Sequence, residues 1–172
     1  MWFLDKYDIL RELNDKKTKM NNISPISIEN NTDLNWLIVD LDKLKTIEPA
    51  YLDSIINSNW WVLSLNGLEN MTPEIAKILT KHNGILSLNG ITSLDSESAL
   101  YLSEHHGTLF LKGLKNLDPK IASIFADMDE TIILGIMDRI STELARIFAH
   151  PRGVIGYSTK FTEQVRKLGG TI

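Results

Sequence analysis

The chain has 172 residues, 43% of them hydrophobic and 23% charged, with a formal net charge of -4 and a sequence pI near 5.5. That length suits one domain with a sizeable core rather than two. The acidic balance argues against a nucleic-acid partner, which would need clustered Lys and Arg to displace counterions from phosphates. With no cysteine, a disulfide framework and a thiolate zinc site are both excluded, and the chain suits a reducing compartment.

The segment Met1 to Asp8 lacks the basic start and unbroken apolar run of a signal peptide, and no stretch approaches the roughly 18 apolar residues of a membrane span. A cytoplasmic protein with no membrane partner is therefore expected, with signal-independent export as the alternative. Trp2, Phe3, Tyr7, Leu10 and Leu13 predict an amphipathic helix covering one end of a core, and the polar run Asn14 to Asn22 predicts the end of that element and a loop. Residues 1–32 are read as an N-terminal cap.

The next stretch introduces a periodicity that organises the remainder. Val39, Leu41, Leu44 and Ile47 align at an offset of 24 with Leu63, Leu65, Leu68 and Met71, and Glu48-Pro49 aligns with Thr72-Pro73. From there the step is 23 residues: Leu63-Ser64-Leu65-Asn66-Gly67-Leu68 returns as Leu86-Ser87-Leu88-Asn89-Gly90-Ile91, then as Leu109-Phe110-Leu111-Lys112-Gly113-Leu114, and more weakly as Ile132 to Met137. Further columns keep the register without an insertion: Met71, Leu94, Leu117 and Ile140; Ala76, Ala99, Ala122 and Ala145; Leu79, Leu102, Phe125 and Phe148. At this hydrophobic content, four apolar residues in one column occur by chance roughly 3% of the time, and several columns in one register do not. Residues 33–168 thus read as about five repeat units, the last truncated, within a single domain over residues 1–172.

Within each unit the period changes. Leu63 and Leu65, with Ser64 and Asn66 between them, show the twofold alternation of a short strand. Gly67, Gly90 and Gly113 then predict a turn that uses glycine's backbone freedom. Thr72, Asp95, Asp118 and Ser141 share one position and predict helix N-caps, with Pro73 and Pro119 just inside. Gly84, Gly107 and Gly153 predict left-handed helix stops. At the far end, Val154 to Tyr157 predicts a last strand and Thr162 to Leu168 a closing helix. A strand–turn–helix unit repeated in this way predicts an α/β fold. Helices are about 10 Å wide and strands about 4.8 Å apart, so the stack is expected to curve as a solenoid, with a parallel sheet on the concave side and helices on the convex side.

The pattern Leu-x-Leu-x-Gly-Leu-x-x-Leu followed by a capped helix resembles the leucine-rich repeat family over roughly Asp33 to Leu168, most nearly its bacterial members. Members of that family usually carry an inward Asn or Cys after the strand, bonded to neighbouring backbones. Here Leu68, Ile91, Leu114 and Met137 take that place, with Asn66 and Asn89 two residues earlier. The resemblance implies a non-enzymatic protein-binding module that works through its concave surface, without a cofactor.

No phosphate-binding Gly loop, nucleophile elbow or zinc-binding His-Glu helix is present, so no catalytic or metal-ligating residue is expected. His82 and His105, 23 residues apart, are expected at helix C-termini, where a cation suits the dipole. Asp127, Asp129 and Glu130 are expected in a solvated loop. Trp60 and Trp61 are read as core filling between units. Leu63 and Leu65 face the core, so the concave face carries Ile38, Asp40 and Asp42; Val62, Ser64 and Asn66; Ile85, Ser87 and Asn89; Thr108, Phe110 and Lys112; and Thr131, Ile133 and Gly135. The binding candidates on it are Asp40, Asp42, Ser64, Asn66, Ser87, Asn89, Phe110, Lys112 and Ile133, for a protein partner that could be basic. An apolar pair, Phe110 and Ile133, is expected to anchor that partner and Asp40 and Asp42 to steer it. A toxin-neutralising immunity protein and a secreted bacterial effector are the more specific alternatives.

Overall fold

In a computed structural model, the described residues are 38–57, 60–135, 137, 140–149, 151–153, 155–156, 163 and 165–167. The expected N-terminal cap lies outside them. Strands β1 (Ile38–Asp40), β2 (Val62–Ser64), β3 (Asn83–Ser87), β4 (His106–Leu111), β5 (Thr131–Leu134) and β6 (Ile155–Gly156) alternate with helices α1 (Pro49–Ile56), α2 (Pro73–Leu79), α3 (Ser96–Ser103), α4 (Pro119–Ala126) and α5 (Thr142–Ile147). All five strand pairs are parallel, and the sheet order is the chain order, β1 to β6.

The pairing reproduces the repeat. Val39 lies opposite Leu63, Leu63 opposite Leu86, Leu86 opposite Leu109, Leu109 opposite Ile132 and Ile132 opposite Ile155. Each crossover advances one strand in the same direction, and crossovers between parallel strands are right-handed, so every helix falls on the same face. Burial agrees. Leu63, Leu65, Leu86, Leu88, Leu109, Leu111, Ile132 and Leu134 are buried, and they form one core with Ala76, Ala99, Ala122 and Ala145 and with Leu79, Leu102, Phe125 and Phe148 of the helical segments. Between them Val62, Ser64, Ile85, Ser87, Thr108, Phe110, Thr131 and Ile133 are half-buried. The column of Leu68, Ile91, Leu114 and Met137 is also core.

Four of the helices start as expected. Thr72 Oγ1 accepts from Ile75 N, Asp95 Oδ1 from Ser98 N, Asp118 Oδ1 from Lys120 N and Ser141 Oγ from Leu144 N. Asp95 also accepts from the hydroxyl of Ser98, which is fully buried. The Ser98 N–H is the main cause of a carboxyl pKa below the usual aspartate range. Asp95→Ala is expected to cost about 1–2 kcal/mol in urea unfolding near pH 7, because it strips an orphan N–H and a buried hydroxyl of their acceptor. A loss below about 0.3 kcal/mol would show that this cap does not hold α3.

The glycines play a different part from the one expected. Helices α2 and α3 end on right-handed residues, Thr80 and Glu104. Gly84 and Gly107 lie beyond them, inside β3 and β4, with φ of 134° and 129°. There they sit opposite one another in the pairing, and a Cβ on Gly107 would overlap the Gly84 carbonyl oxygen. Gly153 likewise follows a helix that ends at Phe148, and a Cβ on it would overlap the Glu130 carbonyl. None of the three is a helix stop. Gly67, Gly90 and Gly113 have no positive φ; a Cβ on each would run into the carbonyl oxygen of Asp42, Asn66 or Asn89 in the preceding unit. Room between stacked turns, not backbone freedom, is what these positions require.

Candidate protein-binding face

Strands β1 to β4 each end in the same tight turn. The amide of Leu44 donates to Leu41 O, Leu68 to Leu65 O, Ile91 to Leu88 O and Leu114 to Leu111 O. The second residue of each turn is Asp42, Asn66, Asn89 or Lys112, and the turns stack. One side-chain oxygen of Asp42, Asn66 and Asn89 therefore meets the backbone N–H of the next. Asp42 Oδ1 accepts from Asn66 N at 2.8 Å, Asn66 Oδ1 from Asn89 N at 2.9 Å and Asn89 Oδ1 from Lys112 N at 2.9 Å.

The serines complete this ladder. Ser64 Oγ donates to Asp42 Oδ1 and accepts from Asn66 Nδ2, while Asn66 Nδ2 also donates to Asp42 Oδ2. One unit later Ser87 Oγ donates to Asn66 Oδ1 and accepts from Asn89 Nδ2. Asn66 thus uses both amide hydrogens and accepts two bonds, which saturates the donor capacity of its amide. The ladder stops where Phe110 replaces the serine, and Lys112, with no side-chain acceptor, replaces the asparagine.

The nine residues singled out in the sequence therefore fall into three groups. Asp42, Ser64, Asn66, Ser87 and Asn89 are half-buried and bonded to one another across units. Asp40 is exposed at the β1 end, and its Oδ1 accepts from Asp42 N. Phe110, Lys112 and Ile133 lie at the other end. Phe110 pairs with Ile133 in the β4–β5 register, and the Lys112 ammonium sits 5.3 Å from the centre of the Phe110 ring. Ile133 pairs with Gly156, and its side chain leans over the space that a Cβ there would occupy. This face thus changes from acidic, through a closed polar ladder, to an apolar pair beside one cation.

Sequence reasoning missed the ladder because alternation shows only which face a residue takes, not what its side chain bonds. The recurrence of Ser-x-Asn at 23 residues was the available signal. The tryptophans divide: Trp60 is 1% exposed and donates its indole N–H to Ile55 O, whereas Trp61 is 44% exposed. In the acidic cluster, Asp127 caps α4, Asp129 lies 3.3 Å from Arg152 Nε and Glu130 lies 3.5 Å from His106 Nδ1.

The histidines overturn an expectation. His82 and His105 follow the ends of α2 and α3 but are 2% and 0% exposed, with rings stacked at 5.6 Å and 3° to parallel. Burial, and then the neighbouring His105, lower the His82 pKa to about 4; burial also lowers that of His105. Both are neutral at pH 7, so neither supplies a cation to a helix end.

Among the described residues no group of three or more His, Asp or Glu is placed to hold a metal ion, and no helix is long and apolar enough to cross a membrane. Comparison with family models, with curated proteins and with solved structures gives no match to this chain.

Proposed function

We propose that the chain is a leucine-rich-repeat-like solenoid that binds a partner protein through the helix-free face of its sheet, without catalysis. The observation carrying this reading is the pairing of Phe110 with Ile133 on that face, beside Lys112, where the polar ladder ends. Half-buried apolar side chains next to one charge give a partner side chain a desolvated seat with a polar rim, the arrangement in which truncations weaken interfaces most. The ladder supports the family resemblance, because its asparagines bond the backbone of the next unit, the task that the inward residue performs in leucine-rich repeats. The net charge of -4 and the exposed Asp40 favour a protein partner over nucleic acid.

The test is capture of the partner from native cells, followed by surface plasmon resonance. Phe110→Ala is expected to weaken binding by about 1–2 kcal/mol, mainly through faster dissociation. Changes at Lys77 and Arg146 on the helical side are expected to leave both rates unaltered. The reverse pattern would move the binding surface to the helices.

A further inference from the structure

The residues just before β3 and β4 suggest how the sheet face could be controlled. His82 and His105 occupy one repeat position, and the next unit places Met128 there, itself buried. The fold thus accepts an unbranched apolar side chain at this position, yet two consecutive units carry imidazoles. The rings stack in parallel, and among the described residues three of their four nitrogens have no hydrogen-bond partner: both nitrogens of His82, and Nδ1 of His105. Only His105 Nε2 has one, Gly84 O at 3.1 Å.

A buried, unpartnered polar atom costs free energy in either protonation state, and far more once charged. The groups around the pair do little to accommodate a charge. Burial opposes a charge on His105 most; the Gly84 carbonyl, Glu130 and the His82 backbone favour one, and His106 opposes it. The Trp60 backbone favours a charge on His82, but no hydrogen bond to either of that ring's nitrogens forms. Lys81, the neighbour of His82, is itself cationic and is held by Asp53 of α1 at 2.6 Å. Two imidazolium rings stacked this closely would also repel one another.

We propose that the His82–His105 stack is an acid-sensitive latch between consecutive units: protonation forces the rings apart and releases the β3 and β4 segments that carry Ile85, Ser87, Thr108 and Phe110. The sign follows from linkage. Lowered folded-state values mean that the unfolded chain binds more protons below the ordinary histidine pKa of about 6.5. Stability is therefore complete above that pH and is lost as pH falls from there toward 4. Through His82 alone, the unfolding constant is expected to rise about thirtyfold between pH 8 and pH 5, with His105 adding to it.

The test is urea unfolding of the full chain at pH 8, 6.5 and 5, beside the double variant His82→Met with His105→Met, which copies the residue at position 128. The wild type is expected to lose stability over this range and the double variant to lose at least thirtyfold less. Equal pH dependence in the two would overturn the latch. Should the double variant not fold, NMR titration of the wild-type imidazoles decides. Both rings staying neutral down to pH 5 supports the latch, and either ring titrating at 6.5 or above overturns it.

Discussion

Leu88→Ala is expected to cost about 2–5 kcal/mol in denaturant unfolding. Leu88 has no solvent exposure and stands between Leu65 and Leu111 in the repeat column, both equally buried. Its backbone is fixed as well, since its N–H donates to Phe110 O. Neighbours locked in a parallel sheet collapse poorly into a void, so the cavity adds its own cost to the lost transfer energy. Ser87→Ala is the matched control, one residue away on the opposite face. Alternation alone places it under about 0.5 kcal/mol. The ladder raises that to about 1 kcal/mol, because Ser87 Oγ both donates to Asn66 and accepts from Asn89. If Ser87→Ala costs as much as Leu88→Ala, the assignment of strand faces is wrong.

Asn66→Ala is expected to cost about 2–3 kcal/mol, more than any other change in the ladder. It leaves Asn89 N and Ser87 Oγ without their acceptor, and it takes from Asp42 Oδ2 a donor to a charged group. The half-burial of the site lets water recover part of each bond, which keeps the figure below that for a sealed network. Asn89→Ala is expected to cost roughly half as much, because among the described residues the Asn89 side chain donates only to Ser87 and accepts only from Lys112. Asn66→Asp separates the acceptor from the donor role: it keeps the acceptor but sets a second carboxylate against Asp42. Its deficit relative to the wild type at the same pH should therefore shrink as pH falls toward the carboxylate range. Chemical denaturation of the three variants at pH 7 and pH 5 checks the series. Costs under about 0.5 kcal/mol for both alanine variants would mean that the turns stack without the ladder.

The 23-residue recurrence and the change of period within each unit were enough to define the strand register, the buried face and four helix caps. They were legible because each follows from local geometry: side chains alternate along a strand, and an oxygen at an N-cap meets an N–H two or three residues on. The glycines at 84 and 107, the Ser–Asn ladder and the histidine stack depended on something else. In each, the deciding partner is the same or a nearby position one unit away, 21 to 24 residues distant in sequence and adjacent only once the sheet has formed. A glycine that opens a turn and a glycine that lets two backbones approach have the same appearance in the chain. An asparagine facing solvent and one bonded to the next turn do as well. Periodicity told which residues share a column; only the stacking of the units determined whether a column is core, ladder or exposed face.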